Sequence, residues 1–491
     1  MQSLWLDRAA PKAVKSVAPD TVYDVIVVGA GLTGMTSALL AARSGCRTLV
    51  IEGRYLGAGA TGNTTAKLSL LQGTRLSEIR QLHPAEVVQA YVDSQREGRD
   101  WLLRFCNEHG VPVERKDAYT YADTPKTRVA VEAEVDACRT AGIEAEFTEN
   151  VDLPFPTHGA AWLRDQAQFD PMDVLTALAR QFAVHDGTLL EGTFVRAIET
   201  GPQPTTVVTD GSHFIASTVV LATGMPIINT SLHFARMTAN RSYAMALETN
   251  GTLPTGMYLS AGQPTHSLRT APAGVRDLLL VGGNGHVTGR EASPGARVFE
   301  LEQWAREWFD VQAVTHSWSA QDMSTPSRLP QMGALVGDNS RILFGTGYHK
   351  WGMTTAVAAG IAISSRLLGN PTDWEVLMSQ ATMGERLRSM PAALMANAHV
   401  GLEMGQGWLS LLKGSPGSPA EGDGKVGLEH GRPTAVSTVD GKTYRCSAVC
   451  THLGGILSWN NANRSWDCPL HGSRFAPDGA VLEGPATRDL V

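Results

Sequence analysis

The stretch Tyr23-Asp-Val-Ile-Val-Val-Gly29-Ala30-Gly31-Leu32-Thr33-Gly34, running on to Thr48-Leu-Val-Ile-Glu52, decides the fold. Residues 25–28 are an apolar run of the kind a strand buried on both faces shows, and Gly-x-Gly-x-x-Gly follows at once. An Ala/Leu-rich segment over 35–42 predicts a helix that stops at Ser44-Gly45, and residues 48–51 predict a second buried strand. Each glycine has its own task in such a unit. Gly29 makes the tight turn, Gly31 admits a pyrophosphate to the backbone, and Gly34 lets helix and strand pack closely. The helix N-terminus presents unpaired N–H groups to the phosphates. Glu52 ends the second strand roughly 20 residues on, where a ribose-binding carboxylate belongs. Together these features predict a dinucleotide site built from Gly29, Ala30, Gly31, Leu32, Thr33, Gly34 and Glu52.

A chain of 491 residues has room for roughly two to four domains. A net charge of −7 argues against a general nucleic-acid or anionic-membrane partner. The opening Met-Gln-Ser-Leu-Trp-Leu-Asp has neither the basic start nor the long apolar core of a signal peptide. Residues 389–402 are an uncharged stretch that contains Pro391, Asn397 and His399 and is cut off by Glu403, too short and too polar a run to span a bilayer. The expectation is a soluble, cytoplasmic chain with no transmembrane segment. Cys46, Cys106 and Cys138 are scattered singly, which suits reduced thiols, whereas Cys446, Cys450 and Cys468 cluster near the C-terminus.

After Glu52, Gly53-Arg54 opens a run through Thr61, Thr64 and Thr65 to Lys67 that is dense in glycine and hydroxyl groups. Such a run supplies donors for a flavin phosphate, or is simply a flexible loop. Residues 84–110 predict a long amphipathic helix and 127–141 a second, with short extended pieces between them. This is an insertion rather than another nucleotide-binding unit. Residues 160–182 are expected to resume the first domain, broken at Phe169-Asp170-Pro171 and then helical. Val195 opens a predicted strand pair, 195–199 with 205–208. A buried strand over 218–223 ends in Ala222-Thr223-Gly224, which resembles the second signature of two-dinucleotide-type flavoproteins. Residues 278–289 mimic a second nucleotide site, but Gly283, Gly285 and Gly289 miss the required spacing, and Pro294-Gly295 stand where helix should continue. The reading there is a loop near the flavin ring, with Asn284 and His286 lining it.

A third strand, glycine turn and helix start follow at Ile342-Leu-Phe-Gly345-Thr-Gly347-Tyr348-His349-Lys350-Trp-Gly352-Met353. A helix N-terminus here suits negative charge at the N1–C2=O edge of a reduced flavin. With three such signatures in order, residues 22–370 resemble the D-amino-acid oxidase/glycine oxidase/sarcosine oxidase family of flavoproteins. That resemblance implies FAD and oxidation of amines or amino acids. It also implies that Lys350, in Gly347-Tyr-His-Lys, holds a substrate carboxylate; the alternative is a lysine paired with a surface acid. Residues 346–350 hold no cysteine and 61–65 no histidine to tether the flavin, so the resemblance implies non-covalent FAD.

Residues 370–413 read as a helical connector, and the Gly/Ser/Pro-rich run 414–424 as a linker that would leave the C-terminal segment separable. An Asp440-Gly441 turn between strands 434–439 and 443–449 predicts a β-hairpin. Cys450-Thr-His452 and Cys468-Pro-Leu-His471 then flank residues 453–467. One thiol and one imidazole on each loop resemble a Rieske domain, whereas zinc sites more often pair like with like. Gly484-Pro485-Ala486 stands where the family has its proline loop. Gly455 and Leu470 stand where respiratory Rieske proteins have a disulfide, Ser473 where a hydroxyl donates to a cluster sulfur, and Phe475 where a tyrosine would add a second bond. Fewer such bonds imply a mid-range potential.

The expected fold class is α/β: a Rossmann-type FAD-binding domain with an inserted α+β substrate domain, plus a small C-terminal all-β Rieske domain. The boundaries are 1–372 for the flavin part (FAD portion about 20–75, 155–235 and 335–372; substrate portion about 76–154 and 236–334), 373–425 for connector and linker, and 426–491 for the Rieske domain. As a whole the chain is similar to DadA-like oxidoreductases with a fused Rieske domain. FAD would be held by the residues named at the first motif and by Gly53, Arg54, Thr61, Thr64, Thr65, Val195, Ala222, Thr223, Gly224, Gly345, Gly347, Gly352 and Met353. A [2Fe–2S] cluster would be held by Cys450, His452, Cys468 and His471. Candidate substrate-orienting residues are His286, Tyr348, His349 and Lys350. Hydride would pass from an amine or amino acid to flavin N5, and single electrons would leave through the cluster to a protein or quinone-like acceptor. Two alternatives stand beside this: a reductase-fed cluster driving a reduction or oxygenation at the flavin, and a redox sensor or electron-transfer module with no substrate.

Overall fold

The computed structural model describes residues 1–8, 21–200, 204–228, 237–274, 276–335, 341–388 and 414–491, together with 405, 407–409 and 411. Much of the predicted connector therefore lies outside the described residues. Two large sheets and a small C-terminal β unit carry the architecture.

Val22–Val28 sits at the centre of the first sheet, parallel to Thr48–Ile51 on one side and to His213–Leu221 on the other. Ile342–Thr346 and Thr188–Leu190 extend it in parallel, and Gln331–Ala334 closes one edge antiparallel. Helices Leu32–Arg43 and Gly352–Leu367 cover one face, where apolar residues of both join one core. Their approach is close because Gly360 has no side chain: a Cβ there would lie 2.7 Å from Thr36 Cβ. The predicted strand pair is present as Val195–Glu199 against Thr205–Thr209.

The second sheet runs Asp310–Ser324, Thr238–Asn250, Arg276–Val287, His266–Ala273, Met257–Ser260, Glu114–Tyr121, Ala160–Gln168 and Lys67–Leu68, with Glu146–Thr148 also paired to Ala160–Gln168. Ala160–Gln168 thus departs from expectation: it pairs with Glu114–Tyr121 here rather than resuming the first domain. Only from Pro171–Val184, capped by the Asp170 carboxylate on the N–H of Met172, does the chain return to the first layer. Arg276–Val287 is one strand, not a strand and loop: Gly282 and Gly283 pair with both Thr238–Asn250 and His266–Ala273, and a register shift opposite Arg241 and Tyr243 takes up Asn284 and Gly285. Pro294, expected to break a helix, instead begins one, Pro294–Trp308, where its missing N–H costs nothing.

In the C-terminal unit Arg432–Val439 and Lys442–Ser447 form the expected hairpin, with Asp440 at φ +53 and Gly441 at φ +74, the primed turn that an Asp-Gly pair favours. A second sheet of four short strands carries the cluster loops. The linker does not leave this unit free. Arg241, 1% exposed, lies within 3.9 Å of Asp467 and 3.4 Å of Glu483, and Gln321 donates to the Gly472 carbonyl at 2.8 Å. Linker composition reports local softness of the chain, not what the attached domain packs against. Among the described residues no helix is long and apolar enough to cross a membrane.

Candidate functional site

A cavity of about 770 Å³ opens between the two sheets, within the range of small-molecule and cofactor pockets. Its walls include Gly29, Gly31, Leu32, Thr33, Glu52, Gly53, Arg54, Thr61, Thr64, Thr65, Val195, Ala222, Thr223, Gly224, Gly345, Gly347, Gly352 and Met353. Ala30 and Gly34 stand behind the wall. Gly34 does what its spacing implied: a Cβ there would meet the Gly29 carbonyl at 1.9 Å. At Gly31 a Cβ would meet only the Thr61 hydroxyl, at 3.2 Å, so the backbone is open to the cavity. The Glu52 carboxylate accepts from the N–H groups of Ala30 and Arg54, each at 2.9 Å, and is fixed at the strand end. Burial raises its pKa against those two bonds. An open glycine cradle, a preset acceptor and a cavity of this size fit FAD.

The cavity is also walled by Tyr348, His349, Lys350, Asp322, Arg328, Arg75 and Lys67. The Tyr348 hydroxyl bonds Thr33 Oγ1 at 2.9 Å, in space that Gly345 leaves clear. His349 and Lys350 both have left-handed backbone, φ +50 and +70, a strained turn for two non-glycine residues. Side chains and backbone hold it: the N–H of Lys350 donates to the Asp322 carboxylate, His349 Nε2 accepts from the N–H of Thr325 at 2.7 Å, and the N–H of His349 donates to Met323 O at 3.1 Å. Burial pushes His349 down to about 2, so it is a neutral prop for the 325 loop. Burial also lowers the Lys350 pKa, against the attraction of Asp322, and lifts Asp322 to about 6. The Lys350 side chain is solvent-accessible through the cavity although protein surrounds it.

His286 is absent from the cavity wall. Gly282 and Gly285 point to the cavity, where a Cβ on Gly285 would lie 2.9 Å from Lys350 Nζ, whereas Gly283 turns toward Leu301; alternation from Gly285 turns His286 away, and Asn284 sits at φ +49 in an irregularity of the strand. His286 Nε2 meets the Tyr243 hydroxyl at 2.9 Å, and Asn284 Nδ2 donates to Arg297 O at 3.0 Å. Sequence reasoning overlooked Lys67, whose Nζ donates to Tyr258 O and Ser267 Oγ, both at 2.6 Å. Burial, then the neighbouring Arg269 charge, lowers its pKa well below the usual lysine value. Its signal was present: Lys67 is the single charged residue in 58–74. Asp322 had no comparable signal, since it sits in an ordinary strand.

At the C-terminal centre, Cys450, Cys468 and His471 are buried, and the His452 and His471 rings stand edge-on at 5.2 Å. Burial lowers both imidazoles to about 4, keeping them neutral and able to ligate. Cys450 is drawn down to about 7, first by a hydrogen bond from Cys468, then against burial by the His452 N–H and the Ser473 hydroxyl. Cys468 receives N–H groups from Leu470 and His471. Donors already aimed at both sulfurs fit thiolates, and two thiolates with two neutral imidazoles fit a [2Fe–2S] centre. Leu470 packs over Gly455, where a Cβ would lie 2.7 Å from Leu470 Cδ1, filling the place of the disulfide.

Comparison with known proteins agrees with this geometry. Residues 24–366 match the family described as FAD dependent oxidoreductase (DAO), and residues 419–491 match the Rieske [2Fe-2S] domain. A Bacillus subtilis protein, YhfW, named for a Rieske 2Fe-2S centre, is 29% identical over 494 aligned positions, covering 100% of this chain and 97% of that one. Glycine oxidase from Geobacillus kaustophilus superposes with a TM-score of 0.59 at 17% identity, over 72% of this chain and 96% of its own. L-proline dehydrogenase from P. horikoshii gives 0.60 at 16%, over 75% and 99%. The chain therefore belongs to the DAO family of FAD-dependent oxidoreductases and carries a Rieske [2Fe–2S] domain at its C-terminal end.

Proposed function

We propose that the chain oxidises a small amine or amino acid in the cavity and delivers the electrons singly to an external acceptor, a protein or a quinone-like molecule. FAD, when bound, supplies the two-electron acceptor, and the cluster supplies the one-electron exit. The chain's own residues bind and orient. Lys350 offers a cation to a substrate carboxylate, and Asp322 and the neutral His349 hold the turn that presents it. Tyr348 ties that turn to the first glycine motif through Thr33.

The observation that carries the reading is one continuous cavity. It runs from the glycine motif to Lys350, and its wall residue Gln321 bonds Gly472, the neighbour in sequence of His471, a proposed cluster ligand. The glycine and L-proline named for the two solved relatives make amino acids the first substrates to try. Anaerobic addition of a panel of amines and amino acids should bleach the flavin with at least one member. An inert panel, with bleaching only through an added reductase, would replace this reading by the reversed electron flow.

A further inference from the structure

The Rieske domain does more than abut the flavin domain: residues 481–484, 486 and 487 are themselves part of the cavity wall. They lie at the end bounded by Glu52, Arg54 and 193–195, the nucleotide end by the logic of the glycine motif. Polar and apolar contacts fasten this segment there. Glu483 lies 3.9 Å from Arg54, whose N–H holds Glu52. The Arg196 guanidinium donates to the Thr487 carbonyl at 2.9 Å and approaches Asp489 at 3.5 Å. A Cβ on Gly484 would lie 3.2 Å from Ile227. Phe194, between wall residues Thr193 and Val195, packs into the apolar core of the Rieske domain.

We propose that the Rieske domain is the cover of the FAD site, closing the nucleotide end with residues 481–487, so that holding FAD and docking the domain are one linked equilibrium. Glu483 is the latch. Its carboxylate is shared by Arg474 of its own domain at 3.2 Å, by the buried Arg241 at 3.4 Å and by Arg54. Burial alone would raise its pKa, yet the three guanidinium groups bring it down to about 2, so it is charged at any working pH. Taking that charge away leaves Arg241 and Arg474 buried with less compensation and frees Arg54 from the cover, which favours undocking. Linkage is reciprocal: whatever loosens the cover loosens FAD, and removing FAD loosens the cover. The inference rests on the FAD and Rieske assignments and not on any substrate.

The test uses the full chain with both cofactors loaded. Free FAD is diluted away and its release is followed by fluorescence, with iron content and visible circular dichroism reporting the cluster. Glu483→Gln should release FAD about tenfold faster or more while keeping its cluster, whereas the exposed Asp478→Asn should match the parent. Unchanged release from a cluster-bearing Glu483→Gln protein would overturn the proposal. Should that variant fail to assemble its cluster, the parent protein decides. Thermal loss of cluster absorbance should come several degrees lower after FAD is stripped and return on adding FAD. A cluster transition indifferent to FAD would overturn the proposal equally.

Discussion

Asp322 and Lys350 are the single residues on which the proposed substrate binding turns. With Asp322 at about 6, its carboxyl takes a proton as pH falls through that value, and the cavity beside Lys350 becomes one unit more positive. A substrate carboxylate should then bind more tightly. KM for a carboxylate-bearing substrate should fall between pH 7 and 5, by up to about tenfold, relative to a matched amine lacking the carboxylate. Asp322→Asn should hold that ratio low and flat across the range. A pH-dependent ratio in the variant would remove Asp322 from this role. Gly31 gives a simpler test. A valine there would carry its branches into the cavity that the glycine leaves open, so Gly31→Val should fold yet purify without FAD, read by absorbance after denaturation. Full flavin content would show that the pyrophosphate passes elsewhere.

At the scale of elements, the two cluster loops are the most self-explanatory part of the chain. Backbone N–H groups of the first loop aim at Cys450 and those of the second at Cys468, so the loops are prepared for negative sulfur. Purified protein should contain iron and acid-labile sulfide at about two each per chain. His471→Ala should lose them, and stoichiometric zinc in anaerobic preparations would contradict the assignment. Ser473 holds two bonds at once: its hydroxyl serves Cys450 and its oxygen accepts the N–H of Ala486 at 3.0 Å. Ser473→Ala should lower the cluster potential in a redox titration, because a hydroxyl donated to sulfur favours the reduced state. A potential that stays put would mean the hydroxyl contributes only to loop structure.

For the whole molecule, the proposed function has the docked Rieske domain couple a two-electron site to a one-electron carrier. A Rieske centre usually lies at about −150 to +300 mV, above the expected flavin couple, so electrons should run from flavin to cluster. Stopped-flow mixing with a true substrate should show flavin bleaching first and cluster reduction second. Cluster reduction that leads would support the reductase-fed alternative. Docking also changes what cluster loss should do. A linker alone would let FAD remain when the Rieske domain is damaged, whereas under the proposed cover flavin retention should fall with it.

The amino-acid sequence by itself determined the features that local chain chemistry controls. Gly29, Gly31, Gly34 and Glu52 were legible because turn, close approach and acceptor each demand one residue type at a set spacing. Cys450, His452, Cys468 and His471 were legible because few other sites mix a thiol and an imidazole on each of two loops. Ala160–Gln168 was misplaced because a strand carries no mark of which sheet it joins; that depends on partners far along the chain. His286 was misplaced because a run of glycines hid the strand whose alternation turns it from the cavity. Asp322, Lys67 and the wall at 481–487 were decided by tertiary structure alone. They come from strands and loops remote in sequence, and only their packing around one cavity gives an ordinary acid, a lysine and a stretch of β-domain a part in the site.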